Sequence, residues 1–339
     1  IYTPFDGPRR IARLPRPPFQ FLDRVEWVDG PLMEQHVGTR LTAAYDLPAD
    51  AWYWDAEGSG ALPLAILVEI ALQPCGFMAA YMGSALLSVQ DLSFRNLSGK
   101  ARLWRNVLRG SGPLHIEVCS TKISRTGDMI IQDYTFLVRQ GQESIYEGET
   151  SFGFFTAKAL AQQVGLRGVP RWASQTIDEV YPQHTALPTA PILMVDRLGR
   201  QLPPAGAHEM GILFGQKTVR PEEWFFAAHF YQDPVMPGSL GLQALEQVLK
   251  AEAARIWPDV KAWCMGDRHE HRWTYRGQVI PTAGESQYAV HLKAVDHEHQ
   301  RLVGEGWLYC DGLPIYHLDD LTLMPLSEKG DRQRDQDTL

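Results

Sequence analysis

The amino-acid sequence predicts an α+β protein built from two copies of one unit. Each copy is a long central helix wrapped by an antiparallel sheet, and the halves pack as a pseudo-dimer. Three observations predict it. Apolar segments at 61–84 and 238–256 are long enough to be central helices. Each precedes short β-type runs separated by Gly, Ser and Asn, the pattern of an antiparallel sheet. Landmarks recur at one spacing: Asp23-Arg24 and Asp196-Arg197 stand 173 residues apart, Trp52 and Trp224 172 apart. That interval is too long for a solenoid and fits a tandem duplication of one domain.

In order, residues 1–18 are rich in Pro and Arg and are expected to form an extended arm. The first unit spans 19–155. FQFLDRVEWVDG turns into a strand, HVGTRLTAAYDL alternates like a strand, and WYWDAEGSGALP is expected to be a loop. The apolar helix follows, then LSFRNLSG, ARLWRNVLRG, LHIEVCSTKISRTG, MIIQDYTFLVRQG and ESIYEGETSFGFF as strands. Residues 156–188 are expected to be a linker beginning with a short helix, FTAKALAQQVGL. The second unit, 189–326, repeats the order and ends in HRWTYRGQVIP, YAVHLKAVDH, RLVGEGWLYCDGLPIYH and LTLMPL. The polar tail 327–339 is expected to be disordered.

The chain has 339 residues, 45% hydrophobic and 21% charged, the balance of a soluble globular protein. Net charge is −8 with no long basic run, which argues against nucleic acid as a partner. Four cysteines lie far apart without a CxxC pair, so reduced thiols and a cytoplasmic setting are expected. The start has no signal-peptide core and no initiator Met, as expected of a piece of a longer chain. Residues 58–90 carry one charge, Glu69, and hydropathy alone would flag a membrane span. Glu69 near the middle, Pro63 and Pro74 within, and no flanking basic cluster point instead to a helix buried in a core.

The chemistry concentrates in WFFAAHFYQDPVMPGSLGLQALEQVLK, 224–250. His229 lies on a loop, Pro237 and Gly238 turn it, and an apolar helix follows. A base beside a helix N-terminus suits reactions at an acyl carbonyl, because free N–H groups and the helix dipole hold negative charge there. The helix position suited to an acid holds Gln243, which has no acidic proton. Laying 234–247 over 60–73 without gaps resolves this. Pro237 falls on Pro63, Gln247 on Gln73, and Gln243 on Glu69, while His229 falls on Asp55 and Gly238 on Leu64. A pseudo-twofold pair would then place His229 against Glu69 in one composite site. The twin site would set Asp55 against Gln243, without a base of suitable pKa.

HFYQDPVMPGSLGLQALEQ resembles the signature of hot-dog 3-hydroxyacyl-ACP dehydratases of the 3-hydroxydecanoyl-ACP dehydratase type, as do MVDR before it and YRGQVIPTA after it. With EIALQPCGFMAAYMGSAL and GFFTAKALAQQVGLR, nearly the whole chain is similar to the paired dehydratase domains of polyunsaturated fatty acid synthases and related polyketide synthases. The resemblance implies a double hot-dog fold. It also implies dehydration of 3-hydroxyacyl-ACP to trans-2-enoyl-ACP in fatty acid or polyketide synthesis, with or without double-bond isomerisation. Partners would be an acyl carrier protein and other domains of a multidomain synthase. Family members carry Asp where this chain has Gln243, and Glu69 is the acid at the matching position of the other half.

On this reading His229 takes the C2 proton and Glu69, with a raised pKa in an apolar wall, protonates the departing hydroxyl. Gly238 N–H holds the thioester carbonyl, and Gln73, one turn beyond Glu69, orients the acid or the leaving water. Tyr231 and Pro237 count with the substrate-binding residues. No metal and no organic cofactor is required. Blander readings stand beside these. Gln73 and Gln247 suit structural hydrogen bonds equally well, Asp233 suits a turn, and the Asp-Arg pairs suit structural roles. His269 with His271 and His297 with His299 are expected to be exposed strand residues rather than metal ligands. Arg9, Arg10, Arg13 and Arg16 are expected on a solvated arm, with contact to an acidic carrier as the minor reading. The competing functions are a non-catalytic acyl-binding pseudo-dehydratase scaffold and a hot-dog thioesterase.

Overall fold

The computed structural model describes Phe5, Gly7, residues 9–172, Thr176, and residues 178–181 and 187–326. The tail at 327–339, and parts of the arm and linker, lie outside the described residues. The first half contributes β1 (Arg24–Val28), β2 (Arg40–Tyr45), α1 (Trp52–Glu57), α2 (Leu64–Tyr81), β3 (Leu92–Leu103), β4 (Leu114–Thr126), β5 (Met129–Gln140) and β6 (Glu143–Thr156). The short helix α3 (Ala157–Ala161) and strand β7 (Glu179–Tyr181) follow. The second half contributes β8 (Arg197–Gln201), β9 (Ile212–Thr218), α4 (Trp224–Ala228), α5 (Gly238–Ile256), β10 (Trp263–Met265), β11 (His269–Tyr275), β12 (Glu285–Asp296), β13 (Arg301–Cys310) and β14 (Leu313–Pro325).

The strands form one antiparallel sheet in the order β1-β2-β4-β5-β6-β3-β11-β14-β13-β12-β9-β8-β7, with β10 on β14. The halves join where β3 pairs with β11, from Leu103 opposite His269 to Ser98 opposite Thr274. Helix α2 packs on β2, β4 and β5, helix α5 on β9, β12, β13 and β14, and the two helices pack on each other. Helix α2 is long and apolar enough to cross a membrane, yet 78% of its most apolar window is buried inside the fold. Strands and the second helix surround it, which accounts for an apolar surface on every side.

The duplication extends to single hydrogen bonds. Gln73 Nε2 donates to the Phe19 carbonyl at 2.9 Å and its Oε1 accepts from Phe21 N at 2.7 Å. Gln247 repeats this with the Ile192 carbonyl at 2.9 Å and Met194 N at 2.8 Å. Each glutamine pins the segment before a first strand to its own helix, the structural role left open by the sequence. Asp23 accepts from Asp46 N at 2.7 Å, and Asp196 from Thr218 N at 2.8 Å. Trp52 and Trp224 donate to the carbonyls of Pro18 and Pro191, and their rings meet edge-on at 5.6 Å. The two recurring tryptophans therefore touch each other.

Several expectations fail for local reasons. WYWDAEGSGALP holds a helix, α1, where a loop was expected; Gly58, left-handed with φ 72, ends it. LSFRNLSG and ARLWRNVLRG merge into one strand, because Ser98 and Gly99 stay in the ladder with β6 and β11. RLVGEGWLYCDGLPIYH splits at Asp311-Gly312, whose φ values of 48 and 79 make a tight hairpin turn. The arm is not a solvated extension along its described length. Ile11 is buried and bridges Leu92, and Arg16 N donates to the Ala228 carbonyl at 2.8 Å. The linker also packs: Leu166 N donates to the Pro314 carbonyl, and Trp172 sits against Phe214 and Tyr309. His271 is buried rather than exposed, with Nε2 at 2.9 Å from the Tyr146 hydroxyl. His297 packs on Trp257, and among the described residues no group of three ligand-type side chains could hold a metal.

Candidate active site

Helix α4 stops at His229, whose N–H donates to the Phe225 carbonyl at 2.9 Å. The loop then folds back on itself. Val235 N donates to the His229 carbonyl at 2.8 Å, and His229 Nδ1 lies 2.9 Å from the Val235 carbonyl. A carbonyl only accepts, so Nδ1 carries the proton and Nε2 keeps its lone pair. His229 is buried, and burial pushes its pKa down to about 3; the Val235 carbonyl opposes this and the nearby Arg95 guanidinium adds to it. The imidazole is therefore neutral at physiological pH and able to accept a proton.

Asp233 holds the loop shape. Its backbone exchanges hydrogen bonds with Phe230 at 3.1 and 3.2 Å, and its carboxylate takes a bidentate pair from Arg95 at 2.8 and 2.9 Å. Burial alone would raise the Asp233 pKa, and Arg95 holds it below its ordinary value. Arg95 comes from β3 of the other half and also donates to Gln278 Oε1 at 2.9 Å. It fixes the turn, a role for which LSFRNLSG gave no signal.

The acid candidate stands on α2. Glu69 Oε1 accepts from Ser239 Oγ at 2.7 Å and Oε2 from Gln73 Nε2 at 3.0 Å. Burial pushes the Glu69 pKa up, against the lowering effect of these two bonds. One apolar cavity is lined by Glu69, Gln73, His229, Gly238 and Ser239, so the structure brings the named residues of both halves together. Tyr231 and Pro237 do not line it. Tyr231 instead lies beneath the Arg13 and Arg16 guanidiniums, 4.6 and 5.9 Å from its ring centroid. Arg13, Leu14 and Pro15 of the arm line the same cavity.

Gly238 opens α5, and its N–H is one of the first-turn amides without an intrahelical acceptor. A Cβ here would lie 2.8 Å from the Tyr275 ring, so glycine is required by that tyrosine. Sequence reasoning assigned the glycine to substrate approach and missed the ring. The hydroxyl of Ser239, the first residue after Gly238, was also missed; its only sequence signal is its place one turn before Gln243.

The twin arrangement does not hold as expected. Asp55 does not face Gln243; it points outward, 74% exposed, and pairs with Arg109 at 2.7 Å. Gln243 is fully buried, and its Oε1 accepts from Ala65 N at 2.9 Å, at the start of α2. Ala65 corresponds to Ser239, so the amide occupies the helix N-terminus that a second site would need. Gln243 Nε2 donates to Glu246, and Lys250 bridges Glu246 and Glu57. Asp55→Ala is expected to leave turnover unchanged and to shift stability by less than about 0.5 kcal/mol, as for exposed ion pairs; steady-state rates and urea unfolding check this.

Residues 187–319 match the FabA-like domain family. Over 317 residues the chain is 30% identical to a subunit of the polyunsaturated fatty acid synthase of Thraustochytrium sp., a match covering 83% of this chain and 21% of that protein. The chain thus spans about a fifth of the length of this curated relative. Among solved structures, an assigned oleoyl thioesterase from Lactobacillus plantarum matches with TM-score 0.52 and 9% identity, over 86% of this chain and 98% of that one. GphF Dehydratase 1 matches with TM-score 0.51 and 13% identity, over 88% and 100%. At such identities the likeness is one of fold: the chain is a hot-dog protein. Residues 187–319 thus carry a FabA-like domain, and most of the chain is similar to a stretch of a polyunsaturated fatty acid synthase subunit.

Proposed function

We propose that this chain dehydrates 3-hydroxyacyl thioesters carried on an acyl carrier protein to trans-2-enoyl thioesters, as part of a multidomain fatty acid or polyketide synthase. The observation that carries the reading is that His229 of one half and Glu69 of the other line a single cavity. The halves, 19–155 and 189–326, act as a double hot-dog pseudo-dimer with one working site. Helix packing of α2 on α5, and the repeated glutamine and tryptophan bonds, support that arrangement. The setting is cytoplasmic, in keeping with a soluble synthase.

In this mechanism the thioester carbonyl accepts from Gly238 N–H, which makes the C2 proton more acidic. His229 Nε2 takes that proton as the C2–C3 double bond forms. The C3–O bond breaks, and protonated Glu69 gives its proton to the departing hydroxyl, releasing water. Burial keeps Glu69 protonated to higher pH than an ordinary carboxyl. Ser239 and Gln73 hold it in place. Gln73 is itself pinned by the Phe19 and Phe21 backbone, so the acid has little freedom to turn away.

Incubation of the protein with 3-hydroxydecanoyl-ACP, followed by mass analysis, tests the proposal. Loss of one water from the carrier-bound chain is the expected result. A released free acid would identify a thioesterase, and an unaltered carrier would identify an acyl-binding scaffold; either outcome overturns the reading.

A further inference from the structure

Tyr275 ends β11 at the mouth of α5 and lines the same cavity as His229 and Glu69. Its side chain is only 6% exposed. The ring is held edge-on by Tyr316 at 4.5 Å, directly across the ladder. Its hydroxyl has no hydrogen-bond partner among the described residues. Tyr134 and Tyr288 also have unpartnered hydroxyls, but neither lines the cavity. A buried hydroxyl without a partner is unfavourable, so one retained beside a reaction centre calls for a ligand atom to bind. Its position is informative. A Cβ on Gly238 would lie 3.1 Å from Tyr275 Oη, so the hydroxyl sits against Gly238, the first residue of α5.

We propose that Tyr275 is a further catalytic residue, its hydroxyl donating to the thioester carbonyl oxygen next to Gly238 N–H. This rests on the dehydratase reading above. Two donors from different elements would meet the same developing oxyanion: a helix-terminal amide and a phenol fixed by the sheet. Burial raises the Tyr275 pKa well above its ordinary value, with Tyr316 and Glu69 adding to the effect. The hydroxyl therefore keeps its proton and donates throughout the working pH range. The arrangement also explains Gly238 a second way, since any side chain there would displace the phenol.

Tyr275→Phe keeps the ring and removes only the unpartnered oxygen. Using the full chain and the 3-hydroxydecanoyl N-acetylcysteamine thioester, kcat is expected to fall roughly 10²–10³-fold with KM little changed, the effect of losing one oxyanion donor. The thermal midpoint should stay equal or rise, because no protein hydrogen bond is lost. With bound enoyl thioester, the carbonyl stretch should move to higher wavenumber in the variant than in the wild type. Wild-type kcat in the variant, or an unmoved carbonyl band, overturns the assignment. A wild-type protein that dehydrates nothing overturns the dehydratase reading instead, so the two failures are distinguishable.

Discussion

Glu69→Gln is expected to lower kcat/KM for dehydration roughly 10²–10⁴-fold, the range for loss of a positioned general acid. The substitution is nearly isosteric and leaves an acceptor for Ser239, so folding should persist; the twin position already holds a buried glutamine at Gln243. What is lost is the transferable proton. His229→Ala should produce a loss of similar size. The double variant should be little worse than the worse single variant, because an acid and a base acting in one step are not additive. The pH dependence supplies an independent readout. In the proposed mechanism activity needs neutral His229 and protonated Glu69. His229 gains its proton only near about 3, so no acid limb is expected down to roughly pH 4. Glu69 is raised above its ordinary value, so activity should fall on the alkaline side as it loses its proton. A Glu69→Gln protein with full activity would sink the composite-site assignment.

Glu69 could be picked out as the candidate acid because the chain carries its own comparison. One gapless overlay put Glu69 on Gln243 and Gln73 on Gln247, and the hydrogen bonds of both glutamines repeat at that offset. His229 and Gly238 stood out as candidates because they bracket the DPVMPG turn, and the structure places both on one cavity. What stayed hidden depends on which strand lies beside which helix. Tyr275 reaches Gly238 from β11, and Arg95 reaches Asp233 from the opposite half, contacts that no local pattern encodes. The arm carries basic residues suited to solvent, yet Ile11 and Leu14 anchor it across the cavity through two apolar side chains in a polar run. Asp55 was misplaced because the overlay that holds for the long helices does not hold before them. Helices α1 and α4 match at an offset of 172 rather than 174, so exposed Asp55 corresponds to exposed Ala227 and it is Glu57 that takes the inward place of His229.

That inward turn of Glu57 sets up the largest stability effect expected in the molecule. Lys250 is buried between Glu57 and Glu246, and Glu246 in turn accepts from Gln243, which caps α2 at Ala65. Both carboxylates in this chain of contacts pair with Lys250. Burial by itself would lower the lysine pKa, and the two carboxylates raise it instead. Lys250→Ala would leave two buried carboxylates with no cation, and removing one partner of a buried pair typically destabilises by about 3–5 kcal/mol. Urea unfolding at neutral pH should report a loss of that size. The sign of its pH dependence follows from Glu246, whose carboxyl burial already pushes up. A carboxyl raised in the folded state favours folding below its unfolded pKa and loses that contribution as pH rises through the folded value. Without Lys250 the folded value rises further, so the deficit of the variant should shrink on acidification as the carboxylates take up protons. A deficit that is small at neutral pH, or that grows in acid, would mean that water rather than Lys250 neutralises this pair. Replacing Glu57, Glu246 and Lys250 together with leucines should be far milder than Lys250→Ala, because no charge is left stranded. The ends of α2 and α5 thus differ: Ala65 and Gln243 are closed off beside an ionic cluster in which Glu57 Oε2 keeps no partner, whereas Ser239 and Glu69 at the matching positions line the cavity.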